Sequence, residues 1–158
     1  YALSSGSFLQ GKVRAKAVRS PSDRVRVIAR AEVGGTLAGS VEDIPPSRRF
    51  YAGGDNSVRG YKFEKLSPRD GDGDRRGGKG LLTASVELER VVAEKWAVAG
   101  FYDTGNAFDS FRDVELEQGV GVGVRWLSPV GMVRFDVARP IAGGEGGVQF
   151  YISVGPDL

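Results

Sequence analysis

One short stretch decides the fold: residues 24–33 read Arg24-Val25-Arg26-Val27-Ile28-Ala29-Arg30-Ala31-Glu32-Val33. Its odd positions carry only valine and alanine, and its even positions carry arginine or glutamate, except for the isoleucine at position 28. A period of two residues is typical of a half-buried β-strand, because successive side chains of a strand point to opposite faces. An α-helix would instead repeat its apolar positions every three or four residues. We therefore predict a strand with one apolar and one charged face.

The same alternation predicts six further strands, at about residues 12–17, 81–92, 95–104, 119–128, 132–139 and 148–155. Charged side chains recur in the middle of the polar faces, which a soluble β-sandwich does not require. A transmembrane β-barrel explains this pattern, because its outer face meets lipid and its inner face meets water. Trp96, Tyr102 and Trp126 would suit an aromatic girdle near the strand ends. The pattern thus indicates an all-β, antiparallel transmembrane barrel segment.

The predicted connections alternate in length. Residues 20–23, 93–94 and 128–131 form short connections, residues 39–79 and 105–118 form long ones, and residues 140–147 are intermediate. Tight periplasmic turns and longer external loops are typical of outer-membrane barrels. Such barrels usually have an even number of strands, so we expect either an eighth strand from residues 1–8 or a native barrel about twice this size. We treat residues 1–158 as one segment, the C-terminal part of a longer exported protein.

The composition excludes several kinds of site. The 158 residues include no histidine and no cysteine, which removes Ser-His-Asp triads, Cys-His pairs, disulfides and histidine-based zinc sites. No apolar run is long enough for a transmembrane helix, and the chain begins without a signal peptide that can be identified. We expect no catalytic residue, no metal and no cofactor, and hence a protein that is not an enzyme.

The long loop contains the most distinctive motif, Arg49-Phe50-Tyr51-Ala52-Gly53-Gly54-Asp55-Asn56-Ser57-Val58-Arg59-Gly60-Tyr61. It resembles the signature loop of the BamA/TamA/two-partner-secretion superfamily of outer-membrane assembly and transport proteins. The segments Phe101-Tyr102-Asp103-Thr104-Gly105 and Gly121–Gly131 resemble later motifs of that superfamily, in the same order. Several ordered motifs over nearly the whole chain are more specific than one short motif. The ending, residues 149–158, is most similar to the TamA branch.

The resemblance implies that the loop folds back into the barrel lumen. Its tip would be Val58, Arg59, Gly60 and Tyr61, with Arg59 held by Asp103 and Glu87 of the wall. Strand alternation places both acidic residues on the predicted lumenal face, and a guanidinium can bind a carboxylate with two parallel hydrogen bonds. Gly53, Gly54 and Gly60 would permit sharp turns. The alternative is that Arg59 is a solvated surface arginine.

The last strand carries a second resemblance. Glu145, Gly147, Phe150 and Ile152 match the spacing of the C-terminal signal by which assembly machinery selects its client barrels. Many such clients end in an aromatic residue, whereas this chain ends in Gly155-Pro156-Asp157-Leu158. That departure weakens the general pattern and agrees with the TamA-like ending.

For function, the resemblance implies assembly or secretion of outer-membrane proteins, including autotransporters, in the outer membrane of a Gram-negative bacterium. The expected partners are outer-membrane lipid, client proteins and a periplasm-spanning partner subunit. The alternatives are a barrel that anchors or exports an attached passenger or hydrolase domain, and a simple pore. An isolated segment would close as a small barrel or self-associate, because lipid does not tolerate bare strand edges.

Three weaker patterns have simpler explanations. The acidic run at residues 70–74 resembles the start of a calcium loop, but Arg75 and Leu81 stand where such a loop needs glycine and glutamate. The glycines at 119, 121 and 123 have strand spacing, which favours close packing over phosphate binding. The basic residues of the first strands are matched by acidic residues on the other strands, which favours a charged lumen. We therefore expect no nucleic-acid partner.

Overall fold

The computed structural model describes residues 7–112, 114–129, 131–141 and 147–155. In this part of the chain it contains one short 3-10 helix, Pro46–Arg48, and seven strands: β1 Leu9–Ser22, β2 Val25–Leu37, β3 Gly80–Ala93, β4 Trp96–Phe108, β5 Glu117–Ser128, β6 Gly131–Pro140 and β7 Gln149–Gly155. Each strand pairs antiparallel with its sequence neighbours in one sheet of order β1 to β7. The predicted all-β antiparallel architecture is confirmed. No helix of the described residues has the length and apolar character to cross a membrane.

The predicted position of the turn between the first two strands is wrong. β1 continues through Ser22, and the chain turns at Asp23 and Arg24 instead of at residues 20–23. The pairing of β1 with β2 shifts register between Arg19 and Ser22, around Pro21, because proline has no N–H to contribute to a ladder. Residues 1–6, which hold most of the candidate eighth strand, lie outside the described residues, as do Glu145 and residues 156–158.

The sheet exposes its apolar face and buries its charged face, which is the reverse of the arrangement in a soluble protein. On β3, Val86 and Leu88 are 53% and 52% exposed, whereas Glu87 between them is 3% exposed. We call the face with the buried charges the inner face and the apolar one the outer face. An outer face of exposed valine, leucine and aromatic residues suits contact with lipid. Trp96 and Trp126 stack on it near the short turns, with ring centroids 5.9 Å apart, but Tyr102 lies in the middle of β4, not near its end.

The register lines up inner-face residues in rows that cross the sheet. One row runs Arg26, Glu89, Ala99, Gly123, Asp136, Tyr151. The next runs Ile28, Glu87, Phe101, Gly121, Ala138, Gln149, and a third runs Arg30, Ser85, Asp103, Gly119, Pro140. Each row brings charged side chains from distant strands beside small residues of β5. A space is therefore left on the inner face, with charges around it.

The connection between β2 and β3, residues 38–79, is a folded element with its own small core. Short antiparallel bridges join Phe50 to Gly78 and Ala52 to Leu66. Its buried side chains pack together with two strand residues, in a cluster of Phe50, Ala52, Val58, Tyr61, Leu66, Leu81 and Ala107. Burial of this apolar surface stabilises the loop in one conformation, so it can present its tip in a defined position.

Candidate functional site: the loop tip on the inner face

The loop tip, residues 58–61, is shaped by glycines in a backbone conformation that other residues rarely adopt. Gly53, Gly54 and Gly60 have φ angles of 101°, 102° and 101°. A Cβ on Gly53 would lie 2.5 Å from the carbonyl oxygen of Lys62, and one on Gly60 would lie 2.7 Å from the carbonyl carbon of Arg139. Glycine is thus required both by the turn and by the close approach of the tip to β6.

Arg59 is buried at the centre of the inner face, with 3% of its surface exposed. Its Nε donates to Asp103 Oδ2 at 2.7 Å and its Nη2 donates to Asp103 Oδ1 at 3.0 Å, a two-point contact with one carboxylate. Its backbone N–H also donates to Asp103 Oδ2, at 3.0 Å. Its Nη1 donates to Glu87 Oε2 at 2.8 Å. The guanidinium is therefore bonded to both acidic residues that the resemblance pointed to.

Arg59 has further partners that the sequence did not indicate. Its Nη1 also donates to Asp136 Oδ2 of β6 at 3.1 Å, and its Nη2 donates to Ser85 Oγ at 3.4 Å. Its Cζ lies 3.3 Å from the centroid of the Phe101 ring, a cation–π contact that is strongest where water is excluded. Burial alone would lower the pKa of Arg59, but the hydrogen bond and ion pairs with Asp103 and Glu87 outweigh it and raise the pKa.

A second buried arginine, Arg125 of β5, completes the cluster, and only 1% of its surface is exposed. It donates to Glu87 Oε1 and Asp136 Oδ1, both at 2.5 Å, and to Glu89 Oε1 at 3.2 Å. The sequence pattern marked Arg125 only as a polar position of a strand and did not indicate its role in the cluster. The signal for that role is strand alternation, because Val124 and Trp126 face outward and Arg125 between them must face inward.

The cluster pairs every one of its buried carboxylates with at least one arginine. Four carboxylates, on Glu87, Glu89, Asp103 and Asp136, are bonded to four arginines, Arg26, Arg30, Arg59 and Arg125. Three of these arginines belong to the wall, and the fourth is delivered by the loop. Burying carboxylates is costly unless each is paired and hydrogen-bonded. Docking of the loop therefore adds Arg59 as a partner for three of the wall carboxylates, Glu87, Asp103 and Asp136.

The glycines of β5 make room for the tip. A Cβ on Gly119 would lie 1.8 Å from the carbonyl oxygen of Arg59. A Cβ on Gly121 would lie 2.4 Å from the Phe101 ring, and one on Gly123 would lie 1.9 Å from Asp136 Oδ1. Side chains at these positions would occupy the volume that the loop and its partners now fill. The glycine repeat therefore serves close packing.

Two tyrosines fasten the tip on its other side. The hydroxyl of Tyr61 donates to Glu117 Oε2 at 2.6 Å. Burial raises the pKa of Tyr61, and the hydrogen bond to Glu117 raises it further. The hydroxyl of Tyr151, on β7, accepts from the backbone N–H of Gly60 at 3.0 Å and donates to the carbonyl oxygen of Tyr61 at 2.9 Å.

The residues singled out on the last strand lie away from this cluster. Phe150 and Ile152 project from the outer face of β7 and are 75% and 71% exposed. Gly147 precedes the strand and is exposed. In the acidic loop, the Asp70 carboxylate accepts hydrogen bonds from the backbone N–H groups of Asp72 and Asp74, the arrangement of an ordinary turn.

Several known proteins are similar to this chain in sequence. The chain is 39% identical over 129 residues to the outer membrane protein assembly factor BamA of Nitratidesulfovibrio vulgaris, an alignment that covers 76% of the chain and 16% of that protein. It is 28% identical over 155 residues to BamA of Neorickettsia risticii, and 27% identical over 139 residues to BamA of Neisseria meningitidis. Those alignments cover 88% and 65% of the chain, and 20% and 17% of the two proteins. The chain thus spans a fifth or less of the length of these relatives.

The fold is similar to that of a solved barrel. The crystal structure of BamA from Haemophilus ducreyi lacking POTRA domains 1–3 superposes with a TM-score of 0.77 at 19% identity, over 92% of this chain and 34% of that one. The model of the Omp85 superfamily domain matches residues 2–157. Together with the ordered loop and strand motifs, this match shows that the chain belongs to the Omp85 superfamily.

Proposed function

We propose that this chain is the wall and lumenal-loop segment of a factor that assembles or translocates other proteins in the bacterial outer membrane. The protein is an outer-membrane β-barrel, and its clients are outer-membrane or autotransporter proteins. The observation that carries the proposal is the buried ion cluster that holds the loop tip against strands β3, β4 and β6. No bond chemistry is needed for this work, which consists of binding and positioning strands.

The loop supports this function by bracing the wall. A barrel that opens at one seam to admit a client loses ladder hydrogen bonds there, and unpaired backbone groups are costly in lipid. Arg59 joins three strands through three carboxylates. A brace of this kind keeps the remaining wall in register while an edge is exchanged.

The last strand supports it as the edge that meets the client. β7 is the shortest of the described strands, with seven residues, and pairs with β6 from Met132 to Ala138. Among the described strands its other edge has no partner. An extended client segment could add to such an edge through main-chain hydrogen bonds. Assembly machinery would then recognise that edge, or lipid would contact it, through Gly147, Phe150 and Ile152.

A TamA-like assignment is the finer part of the proposal. It rests on the similarity of residues 149–158 to the TamA branch, whereas the relatives compared above carry the name BamA. A TamA-like protein would work with a periplasm-spanning partner subunit and would serve mainly autotransporters. Complementation of strains that lack either BamA or TamA distinguishes the two, because each rescue restores a different set of outer-membrane proteins.

The central experiment is client folding by the full-length protein in liposomes. A denatured outer-membrane barrel is added, and its folded fraction is followed by heat-modifiable gel mobility. The proposal expects faster folding than in empty liposomes, and a loss of this gain with Arg59→Ala. Arg48→Ala is the matched control, because Arg48 is an exposed arginine of the same loop. Steady ion conductance without any gain in client folding would instead indicate a pore.

A further inference from the structure

Tyr151 occupies an unusual position, because it belongs to β7 but bonds to the loop. Its hydroxyl accepts from the Gly60 N–H and donates to the Tyr61 carbonyl oxygen, at 3.0 and 2.9 Å. Both partners are backbone groups of the loop tip, and a tyrosine hydroxyl can donate one hydrogen bond while it accepts another. The hydroxyl thus completes two hydrogen bonds that the tip cannot make with the strand ladder.

The position of Tyr151 in the sheet ties it to the ion cluster. Its cross-strand neighbour on β6 is Asp136, whose two oxygens accept from Arg59 and Arg125. Arg59 and Gly60 are adjacent in the chain. The same short segment of the tip is therefore held by an ion pair on its β3–β4–β6 side and by Tyr151 on its β7 side.

The tip has little freedom to move while both contacts persist. Gly60 packs against the backbone of Arg139 and Pro140 on β6, and the carbonyl of Arg59 packs against Gly119 on β5. A sliding movement of the tip by an ångström would break the Tyr151 bonds or meet these backbones. Release of the tip and release of β7 are therefore linked events, and thermodynamic linkage makes such a coupling reciprocal.

We propose that Tyr151 is a positioning residue, a latch through which the lumenal loop controls how firmly strand β7 is held in the sheet. The inference rests on the proposed function in one respect, namely that β7 is the edge that exchanges partners. With the latch closed, β7 is paired with β6 on one side and held by the loop from within. With the latch open, β7 keeps only its pairing with β6 among the described strands and is freer to accept a client strand.

Hydrogen exchange of the full-length protein, folded in nanodiscs and without any client, tests the latch. Tyr151→Phe removes the hydroxyl and keeps the ring. We expect the amides of β7 and of Gly60 to exchange about thirtyfold faster, the effect of losing two hydrogen bonds of ordinary net strength, with β3 and β4 unchanged. Tyr102→Phe is the matched control, because Tyr102 lies on the outer face of β4 and is 40% exposed. It should leave β7 at the wild-type rate.

Unchanged exchange of β7 in Tyr151→Phe would overturn the latch, as would an equal acceleration of β3 and β4, since that would indicate general loosening. Arg59→Lys tests the coupling from the loop side. This variant should loosen the tip and also accelerate exchange of β7, and a loosened tip with β7 unchanged would refute the proposal. Client folding by the wild-type protein tests the proposed function separately, because the exchange measurements involve no client.

Discussion

Replacement of Arg59 by alanine would leave the buried carboxylates of Asp103, Glu87 and Asp136 with one fewer cation. Glu87 and Asp136 would keep Arg125 as a partner. Asp103 would keep only its hydrogen bond with the Ser85 hydroxyl, at 2.6 Å, and the backbone N–H of residue 59 if the tip stayed docked. Removing one partner of a buried ion pair typically costs about 3–5 kcal/mol, because the remaining charge is uncompensated. We expect a destabilisation of that size.

Arg59→Lys should have a smaller effect. Lysine keeps the charge but has three donors on one atom, whereas Arg59 spreads its side-chain hydrogen bonds over three carboxylates and Ser85. The two-point contact with Asp103 and the close contact of the guanidinium with the Phe101 ring would be lost. We expect a cost of about 2 kcal/mol, within the range for losing one hydrogen bond to a charged group.

A double-mutant cycle with Asp103→Asn isolates the pair. Asp103 is the best choice, because the ion pair observed for it is with Arg59, whereas Glu87 and Asp136 are shared with Arg125. In the Arg59→Ala background, Asp103→Asn removes an uncompensated charge. The double variant should therefore be more stable than Arg59→Ala alone, with a coupling energy of about 2 kcal/mol.

The assay is urea unfolding of the full-length protein in detergent, followed by heat-modifiable gel mobility. Trypsin cleavage near Lys62 and Lys65 reports on undocking of the tip, since both side chains are already exposed and only the fixed backbone limits cleavage. Arg48→Ala serves again as the exposed control. Additive effects of Arg59→Ala and Asp103→Asn, to within about 0.5 kcal/mol, would show that the two residues act independently and would refute the reasoning.

Three further changes test other parts of the structure. Gly119→Ala should cost about 1–3 kcal/mol by pushing the Arg59 carbonyl away, whereas Gly100→Ala should be tolerated, because a Cβ there meets nothing within 4 Å; urea unfolding of both variants checks this. Arg125→Met should cost about 3–5 kcal/mol, because Glu87, Glu89 and Asp136 each lose one of their arginine partners, and an unfolding midpoint equal to that of the wild type would contradict this. Val122→Arg, on the outer face, should cost about 2–4 kcal/mol if it lies near the bilayer midplane, and less in detergent than in a bilayer.

Much of the fold and part of the site could be predicted from the sequence, because the relevant signal is local. A strand turns successive side chains to opposite faces whatever its neighbours are. The strands, their two faces and the inward direction of Glu87 and Asp103 therefore follow from alternation alone. The resemblance carried by the motif around Arg59 likewise indicated the loop residue that binds the wall and the glycines that its turn needs.

Only the tertiary structure decided which residues meet. Asp136 reaches Arg59 and Tyr151 reaches Gly60 across 77 and 91 residues of chain, through a register that no single strand contains. The turn at Asp23 and Arg24 depends on how β1 pairs around Pro21, not on turn residues alone. Alternation tells which face a side chain occupies, but its partners depend on the packing of several strands and a folded loop at once. For that reason the sequence by itself determined the two-faced wall and pointed to Arg59, whereas the tertiary structure decided the full set of partners in the ion cluster and the contact of Tyr151 with the loop tip.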